Sequence, residues 1–394
     1  MLTAMPLPLL SDVEAGHAAR VAALIRSEIA GAGGWIPFSR YMQLALYAPG
    51  LGYYSAGTHK FGAGGDFITA PELTPVFSRC IANQVAELLG RLGGGNLLEL
   101  GAGSGVLAAD LLETLAARAA LPREYRILEV SGELRARQRE TLAGRGSRLL
   151  ERVRWIDAPP EAGWCGVVLA NEVADALPVE RFRIGAGALE QLGVVAADEG
   201  FAFEARAAQA PVADAIEARL ADLPVPLPAG YESEACLILG PWIAAVSRSL
   251  EQGAMLFLDY GLPRAQYYHP SRDGGSLCGF FRHRRVEDVL ARPGLQDITA
   301  WVDFTALAEA GLAAGFEVAG FATQAHFLLA TGLERELAAA GEGRDAAGRA
   351  RLARATGMLT LPGEMGERFK VMALARGVEQ PLSGFSFRDL SASL

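Results

Sequence analysis

Three glycines at alternate positions, Gly101, Gly103 and Gly105, are the first residues whose types and spacing suit ligand binding. They follow directly on a short apolar run interrupted by a carboxylate, Glu99. Glycine turns freely through positive φ and, because it has no Cβ, lets a ligand approach the main chain closely. Unpaired backbone N–H groups at the start of a following helix favour such a ligand further. The stretch 96–105 therefore predicts a nucleotide cradle.

The residues around these glycines discriminate between two classes of nucleotide. A nicotinamide dinucleotide site prefers a glycine two positions beyond Ser104, where this chain has Val106, and it needs no carboxylate before the turn. Glu99 suits a ligand with a cationic end, such as S-adenosylmethionine with its ammonium and sulfonium groups. Glu129 is at the end of the next predicted strand, where a carboxylate can accept hydrogen bonds from both ribose hydroxyls. The pattern favours a methyl donor, and a dinucleotide site or a turn that binds no ligand are the alternatives.

A second set of polar side chains, Asn171, Glu172 and Asp175, comes directly after a later predicted strand. An Asn side chain both donates and accepts hydrogen bonds, and carboxylates can hold a cationic substrate or accept a proton. The chain contains only three Asn residues, so the one at this position stands out. The alternative is a helix cap, with Asn171 bonding to the first turn and the acids favoured by the helix dipole. We expect substrate to meet cofactor here.

Two further segments carry candidate groups. The glycine-rich segment 62–72 offers Asp66, Thr69 and Glu72 as closely spaced polar side chains on an adaptable backbone. This segment is a candidate lid for the cradle, and the alternative is an ordinary surface loop. His283, in a long loop of the kind that is usually functional, is a candidate proton acceptor, and the alternative is a structural histidine.

The elements that must position these residues alternate between strands and helices. By apolar pattern and helical spacing, strands are predicted near 96–100, 125–130, 153–157, 166–170 and 255–259, and helices at 106–117 and 131–142. Such alternation implies a parallel sheet whose ligands bind at the carboxyl ends of the strands. We therefore predict an α/β, Rossmann-like fold with a doubly wound, mostly parallel sheet.

The rest of the chain surrounds this predicted core. Helices are predicted at 13–30, 38–46 and 77–89, strands and one helix (212–220) in a β-rich stretch after Pro178, a long loop over 261–304, and final strands at 316–330 and 368–375 with a helical segment between them. The predicted organisation is a helical extension with its glycine-rich lid at 1–92, a core at 93–177 and 232–394, and an insertion at 178–231 that is a candidate substrate or partner subdomain.

Composition excludes several classes of protein. The chain has 394 residues, 51% of them hydrophobic, which is enough for a large core and excludes a disordered protein. A net charge of -9 with scattered basic residues argues against nucleic acid as the principal partner. The four cysteines form no CxxC pair, so we expect neither a zinc site nor a disulfide framework, and a reducing cytosol fits best. We expect no membrane insertion, and the Ala-, Arg- and Gly-rich composition is typical of a GC-rich bacterial genome.

Taken together and in order, the motifs resemble the MidA-type family of class I S-adenosylmethionine-dependent methyltransferases. The segments that carry the resemblance are 65–72, 99–105, 128–131, 171–178, 259–261, 281–283 and 297–304. The chain departs from the family in two places. It has Ala-Gly-Ser-Gly at 102–105 where the family usually has Pro-Gly-Arg-Gly, and it has Val173 and Ala174 where the family has aromatic residues. The second difference can widen the acceptor pocket.

The resemblance implies a function and a set of site residues. Mitochondrial members of the family are complex I assembly factors that methylate an arginine, so the expected activity is arginine methylation of a protein partner subunit. The alternative is a non-catalytic assembly factor that retains the cofactor pocket. The implied cofactor-binding residues are Phe67, Thr69, Glu99, Gly101, Ala102, Gly103, Ser104, Gly105, Glu129, Val130 and Asn171. The implied catalytic residues are Asn171, Glu172, Asp175, Asp66 and His283, with the carboxylates as natural partners of a guanidinium. The oligomeric state stays open.

Overall fold

The computed structural model describes residues 8–56 and 69–394. In chain order, the strands of these residues are β1 (Ile36–Pro37), β2 (Asn96–Leu100), β3 (Tyr125–Leu128), β4 (Val153–Ile156), β5 (Trp164–Asn171), β6 (Glu180–Ile184), β7 (Leu189–Ala196), β8 (Phe201–Ala207), β9 (Glu232–Ala235), β10 (Leu250–Leu262), β11 (Cys278–Phe281), β12 (Arg284–Val286), β13 (Asp297–Thr299), β14 (Val302–Asp303), β15 (Glu317–Thr323) and β16 (Phe369–Arg376).

The helices of the same residues range from single turns to five-turn segments. They are α1 (Asp12–Gly31), α2 (Phe38–Tyr47), α3 (Ala70–Leu73), α4 (Pro75–Arg91), α5 (Val106–Ala117), α6 (Gly132–Arg145), α7 (Ser147–Leu150), α8 (Ala210–Leu220), α9 (Leu239–Ser247), α10 (Arg264–Tyr267), α11 (Phe304–Ala313), α12 (Gln324–Ala330), α13 (Leu333–Gly341), α14 (Ala346–Thr360) and α15 (Met365–Arg368). Within residues 8–56 and 69–394, none of them has both the length and the apolar character that a bilayer span requires.

The chain divides into two compact units, each built from three segments. The first contains the described residues of 1–67, 176–237 and 268–300, and the second contains 68–175, 238–267 and 301–394. The boundaries differ from the expected ones at four places. Residues 176–177 and 232–237, expected in the core, belong to the first unit, and two longer segments also change unit. Residues 69–92, expected in the extension, belong to the second unit, and residues 268–300, expected in the core, belong to the first.

The second unit is built on an eight-stranded sheet. Seven strands follow the order β15-β16-β10-β5-β2-β3-β4, and β14 pairs with β10. Strands β4, β3, β2, β5 and β10 are mutually parallel, whereas β16 lies antiparallel between β10 and β15. The prediction of an α/β fold with a mostly parallel sheet is confirmed.

Packing of apolar side chains holds this sheet and its helices together. Leu97 of β2 and Val167 of β5 are fully buried with Leu107 and Leu111 of α5 in one apolar cluster. Helix α4, which precedes β2, contributes its buried face to the same cluster. Because this cluster fixes β2, α5 and β5 relative to one another, the turns at their ends are held by a rigid support.

The first unit combines α1 and α2 with two small sheets. One sheet has the order β1-β7-β6-β9, with β8 on β7, and the other has the order β12-β11-β13. Helix α1 begins with a capping box in which the Ser11 hydroxyl accepts from the Glu14 N–H and the Glu14 carboxylate accepts from the Ser11 N–H. The expected β-rich character of 178–231 is confirmed, since β6, β7 and β8 and helix α8 all lie there.

Two expectations about local structure are wrong. The stretch 261–304 is not a long loop, because it contains α10, β11, β12, β13 and β14. The stretch 316–330 is a strand only to Thr323. The Thr323 side chain then accepts from the His326 N–H as an N-cap, and α12 follows. An apolar run too short for its period to decide between strand and helix explains the second error.

Candidate cofactor and acceptor site

The glycine turn after β2 has the conformation that its sequence predicts. Gly101, Gly103 and Gly105 have φ values of 60°, 52° and 82°. A Cβ added to Gly105 would lie 3.0 Å from the Cα of Gln138 on α6. Helix α5 starts directly after this turn, with Gly105 at its N-cap. The turn therefore requires glycine, and at its three glycines it presents main chain without a side chain at the carboxyl end of a central strand.

Glu129, directly after β3, is fixed beside this turn. Its side chain is only 6% exposed. One carboxylate oxygen accepts from the Ser131 N–H at 2.9 Å, and the other accepts from Gln138 Nε2 at 3.1 Å. Burial raises the pKa of Glu129, and these hydrogen bonds oppose the rise. A carboxylate has about four acceptor positions, so Glu129 retains the capacity to accept from a ligand.

Gln138 is a site residue that the sequence reasoning missed. Its Nε2 also donates to the carbonyl oxygen of Gly103 at 3.1 Å, and its Oε1 accepts from Trp155 Nε1 at 2.8 Å. One amide therefore links the glycine turn to Glu129. A signal existed in the sequence, because Gln138 is the polar member of the buried stripe of α6 between Leu134 and Leu142.

Glu99 lies inside the sheet and is 2% exposed. The Tyr125 hydroxyl donates to its carboxylate at 2.7 Å. Burial raises the pKa of Glu99 to about 7; the hydrogen bond from Tyr125 opposes the shift and the charge of Glu129 adds to it. That Glu99 faces the cationic end of a cofactor stays a prediction.

The other cradle residues differ in exposure. Ala102 and Ser104 are buried within the turn, and the Ser104 carbonyl accepts from the Thr141 hydroxyl at 2.7 Å. Val130 is 70% exposed, although it is apolar and adjoins the buried Glu129. An exposed apolar side chain beside a carboxylate that is predicted to bind ribose suits a nucleobase. The glycine turn, Glu129 and Val130 thus fit an adenosine ligand.

The second constellation forms at the carboxyl end of β5. Asn171 is the last residue of that strand, and its Nδ2 donates to Glu172 Oε1 at 3.3 Å. The Oδ1 atom of Asn171 is buried and has no hydrogen-bond partner among the described residues. Glu172 has φ of 54°, and its N–H donates to the Leu258 carbonyl at 2.9 Å. Residues other than glycine rarely adopt this left-handed backbone conformation, so it indicates that the surroundings of Glu172 impose it.

Asp175 and Asp259 bring two more carboxyl groups to this place. Asp259 is 2% exposed, and its Oδ2 accepts from the N–H groups of Ala174 and Asp175 at 3.0 and 3.2 Å. The Tyr260 hydroxyl donates to Asp175 Oδ2 at 2.5 Å. Burial raises the pKa of Asp259 well above its usual value, and the negative charges of Asp175 and Glu172 add to the shift. Because these carboxyl groups lie close together, the binding of a proton or a cation among them is favourable.

The helix-cap alternative for Asn171 is wrong. Residues Ala174–Ala176 form a single 3-10 turn, and the carboxylate that receives its first N–H groups belongs to Asp259. The Asn171 side chain points its amide nitrogen at Glu172 instead.

The remaining predicted site residues are distributed differently. Thr69 stands at the N-cap of α3, without a side-chain capping bond. Asp66 and Phe67 lie outside the described residues. His283 belongs to the first unit, where its exposed side chain is on the two-residue turn between β11 and β12. Their roles stay predictions.

Comparison with known proteins identifies the class of enzyme. The family model of S-adenosyl-L-methionine-dependent methyltransferases matches residues 80–322. The crystal structure of a COG1565 superfamily member from Burkholderia thailandensis, bound to S-adenosyl-homocysteine, is 44% identical with a TM-score of 0.92 and covers 99% of this chain and 100% of that one.

Two curated relatives are similar over most of their length. The mitochondrial protein arginine methyltransferase NDUFAF7 of Danio rerio is 29% identical and covers 86% of this chain and 83% of that protein. Its counterpart in Homo sapiens is 28% identical, with 86% and 80% covered. The dinucleotide alternative is set aside, because the matched family uses a methyl donor. The chain belongs to the family of S-adenosylmethionine-dependent methyltransferases, the family that its motifs and its sheet predict, and its cofactor is S-adenosylmethionine.

Proposed function

We propose that this methyltransferase acts on an arginine side chain of a protein. The observation that carries the proposal is the pair of carboxyl side chains after β5, Glu172 and Asp175, which lie beside the buried Asp259 of β10. A guanidinium is planar, stays cationic and pairs with carboxylates through two parallel hydrogen bonds. The names of the mitochondrial relatives, protein arginine methyltransferases, support the same acceptor.

The location of these acids suits contact between acceptor and cofactor. Strands β2 and β5 are parallel neighbours, with Leu100 opposite Ala170. The glycine turn therefore leaves the sheet at the same edge as Asn171 and Glu172. In open α/β sheets this edge is where ligands bind. Two ligands bound at adjacent strand ends can meet without any movement of the sheet.

Each residue has a definite task in this mechanism. When bound, S-adenosylmethionine supplies an electrophilic methyl group. Glu129 and the glycine turn hold its adenosine part, and Glu172 orients the guanidinium and accepts the proton that the methylated nitrogen loses. The Asn171 amide, which donates to Glu172 Oε1, keeps that carboxylate in place.

The proposed acceptor is a protein subunit of the respiratory-complex type. The family resemblance supports this choice, and the acidic chain, with its net charge of -9, suits a basic arginine-bearing segment. We place the reaction in a bacterial cytoplasm, which four cysteines that are far apart in the sequence and form no CxxC pair support, Cys80, Cys165, Cys236 and Cys278. Fractionation of the source cells followed by immunodetection tests this location, and recovery outside the cytoplasmic fraction contradicts it.

Methyl transfer to a lysate tests the proposed activity. The purified protein is incubated with tritiated S-adenosylmethionine and a lysate of source cells that lack its gene, and labelled protein is hydrolysed for amino-acid analysis. We expect the label in methylated arginine. Label in another amino acid would contradict the arginine assignment, and an absence of any label would favour a non-catalytic assembly factor.

A further inference from the structure

Asp259 and Tyr260 touch the acidic loop after β5 without belonging to it. Both are at the end of β10, and Leu258 of that strand lies opposite Asn171 of β5 in parallel register. We propose that Asp259 and Tyr260 are positioning residues that hold the loop 171–175 in the conformation presenting Glu172 to the methyl acceptor. This inference rests on the proposed function only through the role of Glu172.

Asp259 fixes the backbone of the loop. Its Oδ2 accepts from the N–H groups of Ala174 and Asp175, and its Oδ1 accepts from the Tyr260 N–H at 3.0 Å. Three donors converge on one carboxyl group that is almost completely buried. Since burial of an isolated carboxyl group is costly, these hydrogen bonds are the reason that such a group is tolerated here.

Tyr260 fixes the side chain of Asp175. Its hydroxyl donates to Asp175 Oδ2 at 2.5 Å. Its ring packs edge-on against Phe369 of β16, with 4.9 Å between ring centroids and 89° between planes. The hydroxyl is therefore held by a rigid ring, and it can restrain Asp175 without moving itself.

Glu172 is the residue whose conformation needs this support. Its left-handed backbone, with φ of 54°, is unfavourable for a residue with a Cβ. Such a conformation persists only when the surrounding structure over-determines it. The bond from its N–H to the Leu258 carbonyl fixes one side of the residue, and the bonds to Asp259 and Tyr260 fix the chain that follows.

Tyr260→Phe removes the hydroxyl and keeps the ring against Phe369. We expect label transfer at saturating S-adenosylmethionine to fall by at least about tenfold, because misplaced reacting groups lose rate steeply. Adenosylhomocysteine affinity by calorimetry should stay unchanged. Tyr41→Phe is the matched control: it removes another buried hydroxyl, which donates to the Val289 carbonyl in the first unit, and it should keep the full rate.

A double-mutant cycle separates positioning from a general structural role. If Tyr260 acts through Glu172, Tyr260→Phe should cause no further loss in a Glu172→Gln background. Independent, multiplicative losses would overturn the proposal.

Hydrogen exchange tests the same proposal without any methyl transfer. Asp259→Ala, which leaves no acceptor oxygen for these N–H groups, should accelerate exchange of the Ala174 and Asp175 amides, whereas Tyr41→Phe should not. Unchanged exchange at these amides would overturn the inference even if the wild-type enzyme methylates arginine. Accelerated exchange in a protein that transfers no methyl group would support the loop restraint while contradicting the proposed function.

Discussion

Gln138 joins the two parts of the cofactor cradle through one side-chain amide. Its nitrogen donates both to Glu129 and to the carbonyl of Gly103, and its oxygen accepts from Trp155. A side chain that is satisfied in this way has a single orientation. Glu129 is consequently preorganised for the ribose contact that we predict, and preorganisation lowers the entropic cost of binding.

Replacement of Glu129 by Ala should weaken adenosylhomocysteine binding by at least about tenfold, because a hydrogen bond to a charged group contributes about 1.5 to 3 kcal/mol. Isothermal titration calorimetry measures this change. Glu133→Ala, which removes an exposed carboxylate from the first turn of α6, is the matched control and should leave the affinity unchanged. Equal affinities of wild type and Glu129→Ala would contradict the assignment.

The burial of Glu99 predicts that the stability of the protein depends on pH. Its pKa is about 7 in the folded protein, against 4.5 as the ordinary value, so the folded state binds the proton more tightly than the unfolded state. The contribution of Glu99 to the free energy of unfolding therefore decreases as pH rises from about 4.5 to 7. Glu99→Gln removes the titration and should gain stability relative to wild type at pH 8, by as much as about 3 kcal/mol, and far less at pH 5. Urea unfolding at both pH values measures the difference, and an equal effect at pH 5 and pH 8 would refute it.

Among the elements of the fold, the turn between β11 and β12 has a backbone conformation that is energetically unfavourable for the residues it contains. Arg282 and His283 both have positive φ, 47° and 60°, in a two-residue hairpin connection. Turns of this kind strongly prefer Asn-Gly. Arg282 recovers part of the cost through its ion pair with Glu14 and its position over the Phe281 ring. His283 is exposed, so packing does not explain its presence.

His283→Gly should produce a more stable enzyme, and its activity tests the catalytic role predicted for His283. Glycine removes the left-handed strain, for which the expected gain is about 1 kcal/mol. If His283, rather than Glu172, accepts the proton, the rate of methyl transfer should fall at the same time. Thermal unfolding and the label-transfer assay measure the two effects. Full activity in the stabilised variant would contradict a catalytic role.

Local elements were predictable to different degrees. The turn at 101–105 is predictable, because alternate glycines after an apolar strand leave few other conformations. The sequence predicts the position of the loop 171–175 but not its backbone conformation, because that conformation depends on Asp259 and Tyr260, which are distant in the sequence. Helix α12 is not predictable, because the apolar run after Thr323 is too short for its period to distinguish a helix from a continued strand, and the Thr323 N-cap alone marks where the helix begins.

At the scale of the whole molecule, the parallel sheet was predictable and the division into units was not. Alternation of strands and helices determines the sheet type from local patterns. The units depend instead on contacts between distant segments: residues 268–300 pack with α1, α2 and β1 rather than with the sheet that precedes them. The topology also explains the arrangement of the site, since β2, β5 and β10 end at one edge and carry its cofactor part and its acidic part separately.

We propose that the glycine turn and Glu129 bind the cofactor while Glu172 binds the acceptor. The most direct test is the single-turnover rate of label transfer by Glu172→Gln with S-adenosylmethionine bound to saturation in advance. We predict a fall of at least about a hundredfold while the affinity for the cofactor is unchanged. A wild-type rate, or a loss explained entirely by lost cofactor binding, would contradict the account.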